Sequence, residues 1–137
     1  MLIISLTTHE LKSLEQILLN KSKYNHEINR RKLELSAIRQ SETPEIKTHS
    51  TSSQVENLVI KYMSDPYIAT RTLWLESIDK LEQGLDDQCK VVYDYKFNQY
   101  KYLSWLDIGK QLHYTKSTIY RMRYDILDKF NSYIGMY

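Results

Sequence analysis

The segment Ser104–Asp128, SWLDIGKQLHYTKSTIYRMRYDILD, constrains the chain most, because apolar residues fall at helical spacing on both sides of a short break. Ile108 and Leu112 stand four apart before the break, and Ile119, Met122 and Ile126 stand three and four apart after it. Each half therefore predicts a helix with one apolar stripe, and the two stripes can close on each other. Thr115 stands where the second helix begins, so its hydroxyl can accept one of the orphan N–H groups of the first turn. Ser104 takes the same place before the first helix. Gly109 permits close helix approach at about 1 kcal/mol of helix propensity. His113 occupies a turn position where φ is often positive, a conformation that His enters more readily than most residues. The polar remainder of the second helix is Lys116, Ser117, Thr118, Tyr120, Arg121, Arg123 and Tyr124. Donors and rings around an apolar stripe are the layout of a helix-turn-helix whose second helix enters a DNA major groove. Two amphipathic helices packed in any helical domain share the stripe but do not need this concentration of cations and hydroxyls.

Composition narrows the alternatives. Three glycines and two prolines in 137 residues leave few turns, and a hydrophobic fraction of 42% can fill a core, so an all-α fold is expected. The net charge of +2 means that DNA affinity must come from local clustering. The single Cys89 excludes an intramolecular disulfide and suits a reducing cytoplasm. MLIISLTTHE lacks a basic n-region and cleavage signal, and no window approaches the ~20 apolar residues of a membrane span. A soluble protein of the cytoplasm, without membrane association, is the expectation.

Three regions are expected. Residues 1–39 read as an N-terminal helical arm: Thr7 and Glu10 have capping-box spacing, and Leu11, Leu14, Ile17 and Leu18 form a stripe. From Thr7 to Arg39 the pattern fits either one helix bent near Asn25 or two helices joined by a short loop. Residues 40–53, QSETPEIKTHSTSS, are polar and Ser/Thr-rich and predict a linker. Residues 54–137 predict a multi-helix domain containing the helix-turn-helix at 104–128. Within it, Val55, Leu58, Val59, Tyr62 and Met63 form one face of a helix ending near Ser64. Asp65-Pro66 restarts the chain, Gly84 stops the next helix, and Asp86 or Asp87 caps another. A stripe separated from its domain by a flexible run needs cover, and a second copy is the simplest cover. A homodimer or higher oligomer centred on Leu11, Leu14 and Leu18 is therefore expected.

No catalytic constellation is visible. His9, His26, His49 and His113 are scattered without metal-ligand spacing, three glycines cannot build a phosphate loop, and Asp86-Asp87 reads as a capping cluster. Neither an enzyme nor a cofactor or metal site is expected.

The segment from Leu81 to Leu127 resembles region 4 of sigma-70-type factors, with the aromatic-rich patch Val91-Val92-Tyr93-Asp94-Tyr95-Lys96-Phe97 followed by the helix-turn-helix. In layout the whole chain is similar to the RinA/ArpU-type late transcription activators of phages of Gram-positive bacteria. The resemblance implies a regulator that binds upstream of late packaging and structural genes and works with host RNA polymerase. The chain is too short to add a −10-reading domain, so a full sigma factor is not implied. On this reading Lys116, Ser117 and Tyr120 approach base edges in double-stranded DNA, with Arg121 best suited to a bidentate guanine contact. Lys110, Thr115, Thr118, Arg123 and Tyr124 suit phosphates. Two rivals are a helical protein-interaction module that touches no DNA, and a small terminase-like packaging subunit. The second usually places its DNA-binding motif ahead of its oligomerising helices, the reverse of the order here.

Overall fold

The computed structural model describes residues 5–42 and 51–137, and every regular element among them is helical. In order these are α1 (Thr8–Leu19), a 3-10 turn (Lys21–Lys23), α2 (Tyr24–Glu42), α3 (Thr51–Ser64) and α4 (Pro66–Gly84). There follow α5 (Asp87–Tyr93), a π-helical segment (Asp94–Gln99), α6 (Trp105–Gln111) and α7 (Lys116–Ile134). The protein is all-α. The choice left open for residues 7–39 resolves as two helices separated by the 3-10 turn.

Helix starts follow local chemistry. The Thr7 hydroxyl accepts from the Glu10 N–H (3.2 Å) while the Glu10 carboxylate accepts from the Thr7 N–H (2.8 Å), a complete capping box. Asp65 accepts from the Ile68 N–H at 3.1 Å with Pro66 at the first helical position, and Asp86 accepts from the Cys89 N–H at 2.8 Å. Burial pushes the Cys89 thiol up to about 11, helped by the Asp86 carboxylate, so it stays protonated at neutral pH. α7 ends at Gly135, whose φ of 63° is the left-handed conformation glycine adopts without cost.

The chain divides into two compact units, Met1–Lys21 with Glu76–Tyr137, and Ser22–Leu75. This differs from the arm, linker and domain expected from composition. α1 is not a separate arm: it packs on α7, and Leu14 and Leu18 are fully buried, with Leu11 and Ile17 nearly so. The stripe expected to require a second copy is thus covered within the chain, and an oligomer centred on Leu11, Leu14 and Leu18 is corrected. Both described ends of the expected linker are helical. Residues 40–42 complete α2 and residues 51–53 begin α3, while 43–50 lie outside the described residues. Ser and Thr are at home in a first helical turn, so a Ser/Thr run marks a helix start as readily as a linker.

In the first unit, α1, α5, α6 and α7 surround a core of Val92, Tyr93, Phe97, Trp105, Ile108, Ile119, Ile126, Leu127 and Phe130. Tyr93 and Phe97 lie 5.1 Å apart by ring centroid, and the Trp105 ring meets Phe97 edge-on at 5.8 Å. The Tyr93 hydroxyl donates to Glu82, and burial with that carboxylate drives its pKa upward.

The second unit has a smaller core, Ile28, Leu35 and Ile68 with Tyr62 and Leu75 against them. α3 turns Leu58 and Tyr62 inward, but Val55, Val59, Ile60 and Met63 remain exposed, so only part of its expected apolar face is used. Ion pairs supplement this core. Arg31 reaches Asp65 at 3.0 Å, and Arg71 reaches Glu27 at 2.9 Å while stacking 3.4 Å above the Tyr67 ring. Hydrogen bonds from Arg71 and Tyr67 hold the Glu27 carboxyl below the usual range, and Arg31 does the same for Asp65. A carboxyl whose folded pKa is depressed contributes stability above its unfolded pKa of about 4, and loses it as pH falls through the folded value. Thermal melts should therefore hold steady from pH 7 to 5 and fall below about pH 4. The Glu27 and Asp65 carboxyl signals should titrate below those of exposed carboxyls. Ordinary midpoints for both would remove the ion pairs as the cause.

Candidate nucleic-acid interface

α6 begins at Ser104, whose hydroxyl accepts from the Asp107 N–H at 3.1 Å, and α7 begins at Thr115, whose hydroxyl accepts from the Thr118 N–H at 3.3 Å. Between them, His113 takes φ 63° and the Tyr114 N–H bonds to the Gly109 carbonyl at 2.7 Å, closing a tight turn. Gly109 gives the crossing its close approach: a Cβ there would stand 3.1 Å from Cβ and Cγ2 of Ile119, so Ile119 would have to shift by a few tenths of an ångström. Ile108 and Ile119 are fully buried at this contact. The sequence expectation for these two helices and their turn holds as geometry.

Packing the stripe Ile119, Met122, Ile126, Leu127, Phe130 and Ile134 inward decides what α7 shows outward. Lys116, Ser117, Tyr120 and Arg121 are exposed, as are Lys110 on α6 and Thr115 at the cap. Gln111 and His113, not singled out from sequence, are exposed between Lys110 and Thr115. Thr118 is half-buried, and its hydroxyl accepts from Thr115 at 2.9 Å, so it belongs to the cap. One turn beyond Arg121 the same face carries Asp125, then Asp128, both exposed. The first two turns of α7 are free of carboxylates and stand at the positive end of the helix, so they suit an anionic ligand.

Arg123 and Tyr124, expected on phosphates, turn inward instead. Arg123 stands four residues after Ile119 and four before Leu127, in the middle of the buried arc, a spacing already visible in sequence. Its guanidinium pairs with Glu15 of α1 at 3.2 Å, with the two side chains 14% and 13% exposed. Its Nε is buried without a hydrogen-bond partner. The same Glu15 carboxylate accepts from the Trp105 indole N–H. Tyr124 is half-buried, and its hydroxyl accepts from the Leu6 N–H at 3.1 Å. Glu15 is the residue that sequence reasoning missed. Its one signal was a carboxylate beside the buried Leu14 on a helix whose partner, Arg123, lies 108 residues on.

Local charge departs strongly from the balance of the whole chain. Between Asp94 and Asp125 the only acid is Asp107, against the cations Lys96, Lys101, Lys110, Lys116, Arg121 and Arg123. Lys96 and Arg123 are drawn inward, leaving four exposed cations on this stretch. Among the described residues no group of three potential ligands gathers as a metal site, and no helix is long and apolar enough to cross a membrane.

One family model, described as a protein of unknown function (DUF722), matches residues 12–132. No curated protein and no solved structure matches the chain.

Proposed function

The chain belongs to the DUF722 family, whose description assigns no activity, so function has to be read from the surface, and we propose that this protein is a sequence-specific DNA-binding transcriptional regulator. The observation that carries this reading is the exposed, acid-free opening of α7, held rigidly against α6 by Ile119 on Gly109. Lys116, Ser117, Tyr120 and Arg121 then face base edges, while Lys110 and Thr115 meet phosphates. The sequence resemblance to RinA/ArpU-type late phage activators, whose specific part is confined to Tyr93 through Leu127, supports a narrower form, activation of late packaging and structural genes with host RNA polymerase in the bacterial cytoplasm. A second reading, a helical protein-interaction module, is favoured by one feature, the exposed row Val55, Val59, Ile60 and Met63 on α3.

Selecting DNA from a random pool with the purified protein tests the proposal directly: enrichment of one sequence supports it, and no enrichment over competitor overturns it. On the selected site Arg121→Ala should cost about 1–3 kcal/mol and relax preference at one base pair. Lys110→Ala should weaken specific and random DNA alike and lower the slope of log affinity against log salt by about one. Equal losses on both kinds of DNA for Arg121→Ala would place that residue on phosphate.

A further inference from the structure

Just before α6 the chain makes a short loop, Tyr100 to Leu103, that is held more firmly than its position requires. Lys96, only 7% exposed, donates to the carbonyls of Lys101 (3.3 Å) and Leu103 (2.5 Å), with its ammonium 5.7 Å above the Trp105 ring. The Leu103 N–H closes on the Tyr100 carbonyl at 3.1 Å, and the Tyr100 N–H reaches back to Tyr95 at 2.8 Å, ending the π-helical segment. Tyr100 is half-buried between Tyr95, 4.9 Å away by ring centroid, and Tyr102 at 6.4 Å. Tyr102 itself is 82% exposed, more than any other large apolar or aromatic side chain described, and Lys101 beside it is exposed. A buried cation spent on two loop carbonyls fixes what this loop presents to solvent.

Charge decides what fits it. Residues 95–106 contain no acid, and although the preceding Asn98 amide donates to Asp94 at 2.7 Å, the loop itself offers the Lys101 ammonium and the Tyr102 phenol with no carboxylate of its own. A protein surface would need acidic and apolar parts together, and this loop shows one ring rather than an apolar patch. The first helix of a helix-turn-helix crosses the DNA backbone, and this loop leads directly into that helix. We infer that the Tyr100–Leu103 loop is a second DNA contact, in which the Lys101 ammonium and the Tyr102 hydroxyl bind the sugar–phosphate backbone flanking the segment read by α7. The inference rests on the DNA-binding reading above. It adds register: the loop fixes α7 along the groove without reading bases.

The test uses the full chain and the DNA enriched by selection. Both side chains are exposed, so Lys101→Ala, Tyr102→Ala and Tyr102→Phe should keep the wild-type melting temperature. Tyr102→Ala and Tyr102→Phe should each weaken binding about tenfold, since a hydrogen bond to a charged group carries the contact. Lys101→Ala should lower the salt slope by about one. Hydroxyl-radical footprints of Tyr102→Ala should lose protection at the flanking backbone while keeping it at the segment facing α7. If wild type binds the selected site and these variants bind it equally with an unchanged footprint, the inference is overturned and the loop is a protein-facing surface. If wild type enriches no DNA, the DNA-binding reading itself fails and the loop contact with it. Tyr102→Phe binding as wild type while Tyr102→Ala binds weakly would overturn the hydroxyl contact in favour of ring packing.

Discussion

Glu15→Ala should cost about 3–5 kcal/mol, because it strands a guanidinium that the fold has already taken out of water. Arg123 has Glu15 as its ion-pair partner at 3.2 Å, both side chains are largely buried, and its Nε is already unpartnered. The Trp105 indole N–H would lose its acceptor at the same time. Denaturant titration should show a lower midpoint with an unchanged m-value, the signature of lost stability rather than altered compactness. A surface pair would contribute only about 0–1 kcal/mol, so a loss of that size would show that solvent reaches Arg123. The double variant Glu15→Leu with Arg123→Met should recover most of the loss, since it removes both charges and keeps the volume. DNA affinity per folded molecule should be retained in the double variant, because Arg123 does not reach the exposed face of α7. A selective loss of affinity at wild-type stability would return Arg123 to the phosphate-contacting set.

Ile119→Ala should cost about 2–5 kcal/mol, the usual range for truncating a fully buried aliphatic side chain. The position is sensitive because Gly109 has no Cβ and the fully buried Ile119 side chain packs directly against it where α6 and α7 cross. The helices should still form, since both caps are local, and circular dichroism at low temperature should change little while the melting temperature drops. DNA affinity should fall further than the folded fraction does, because the angle between the two helices loosens. An unchanged melting temperature would mean that Ile119 faces solvent and that the exposed set on α7 is rotated.

These two residues also mark where sequence stops being sufficient. Ile119 was legible: periodicity over Ile119, Met122 and Ile126 defines one face, and the opposite positions Ser117 and Arg121 are exposed in the fold. Thr7 with Glu10, Asp65, Asp86, Ser104 and Thr115 were legible as caps because each such bond closes within three residues. Even the tolerance of His113 for positive φ is a property of one residue and its own backbone. The stripe on α1 was equally clear, and what covers it was not. Periodicity states that Leu14 and Leu18 must be buried, and only the chain path shows α7 doing it, which removes the reason for placing a second copy there. Arg123 shows the same limit for a charge. Its spacing put it in the buried arc, yet a cation beside a helix-turn-helix reads as a phosphate contact until a carboxylate is found to neutralise it. That carboxylate, Glu15, comes from a helix at the other end of the chain. Hydrogen bonds and periodicity along one helix are short-range and written in consecutive residues. Burial of charge is settled between helices distant in sequence, and only the tertiary structure brings those together.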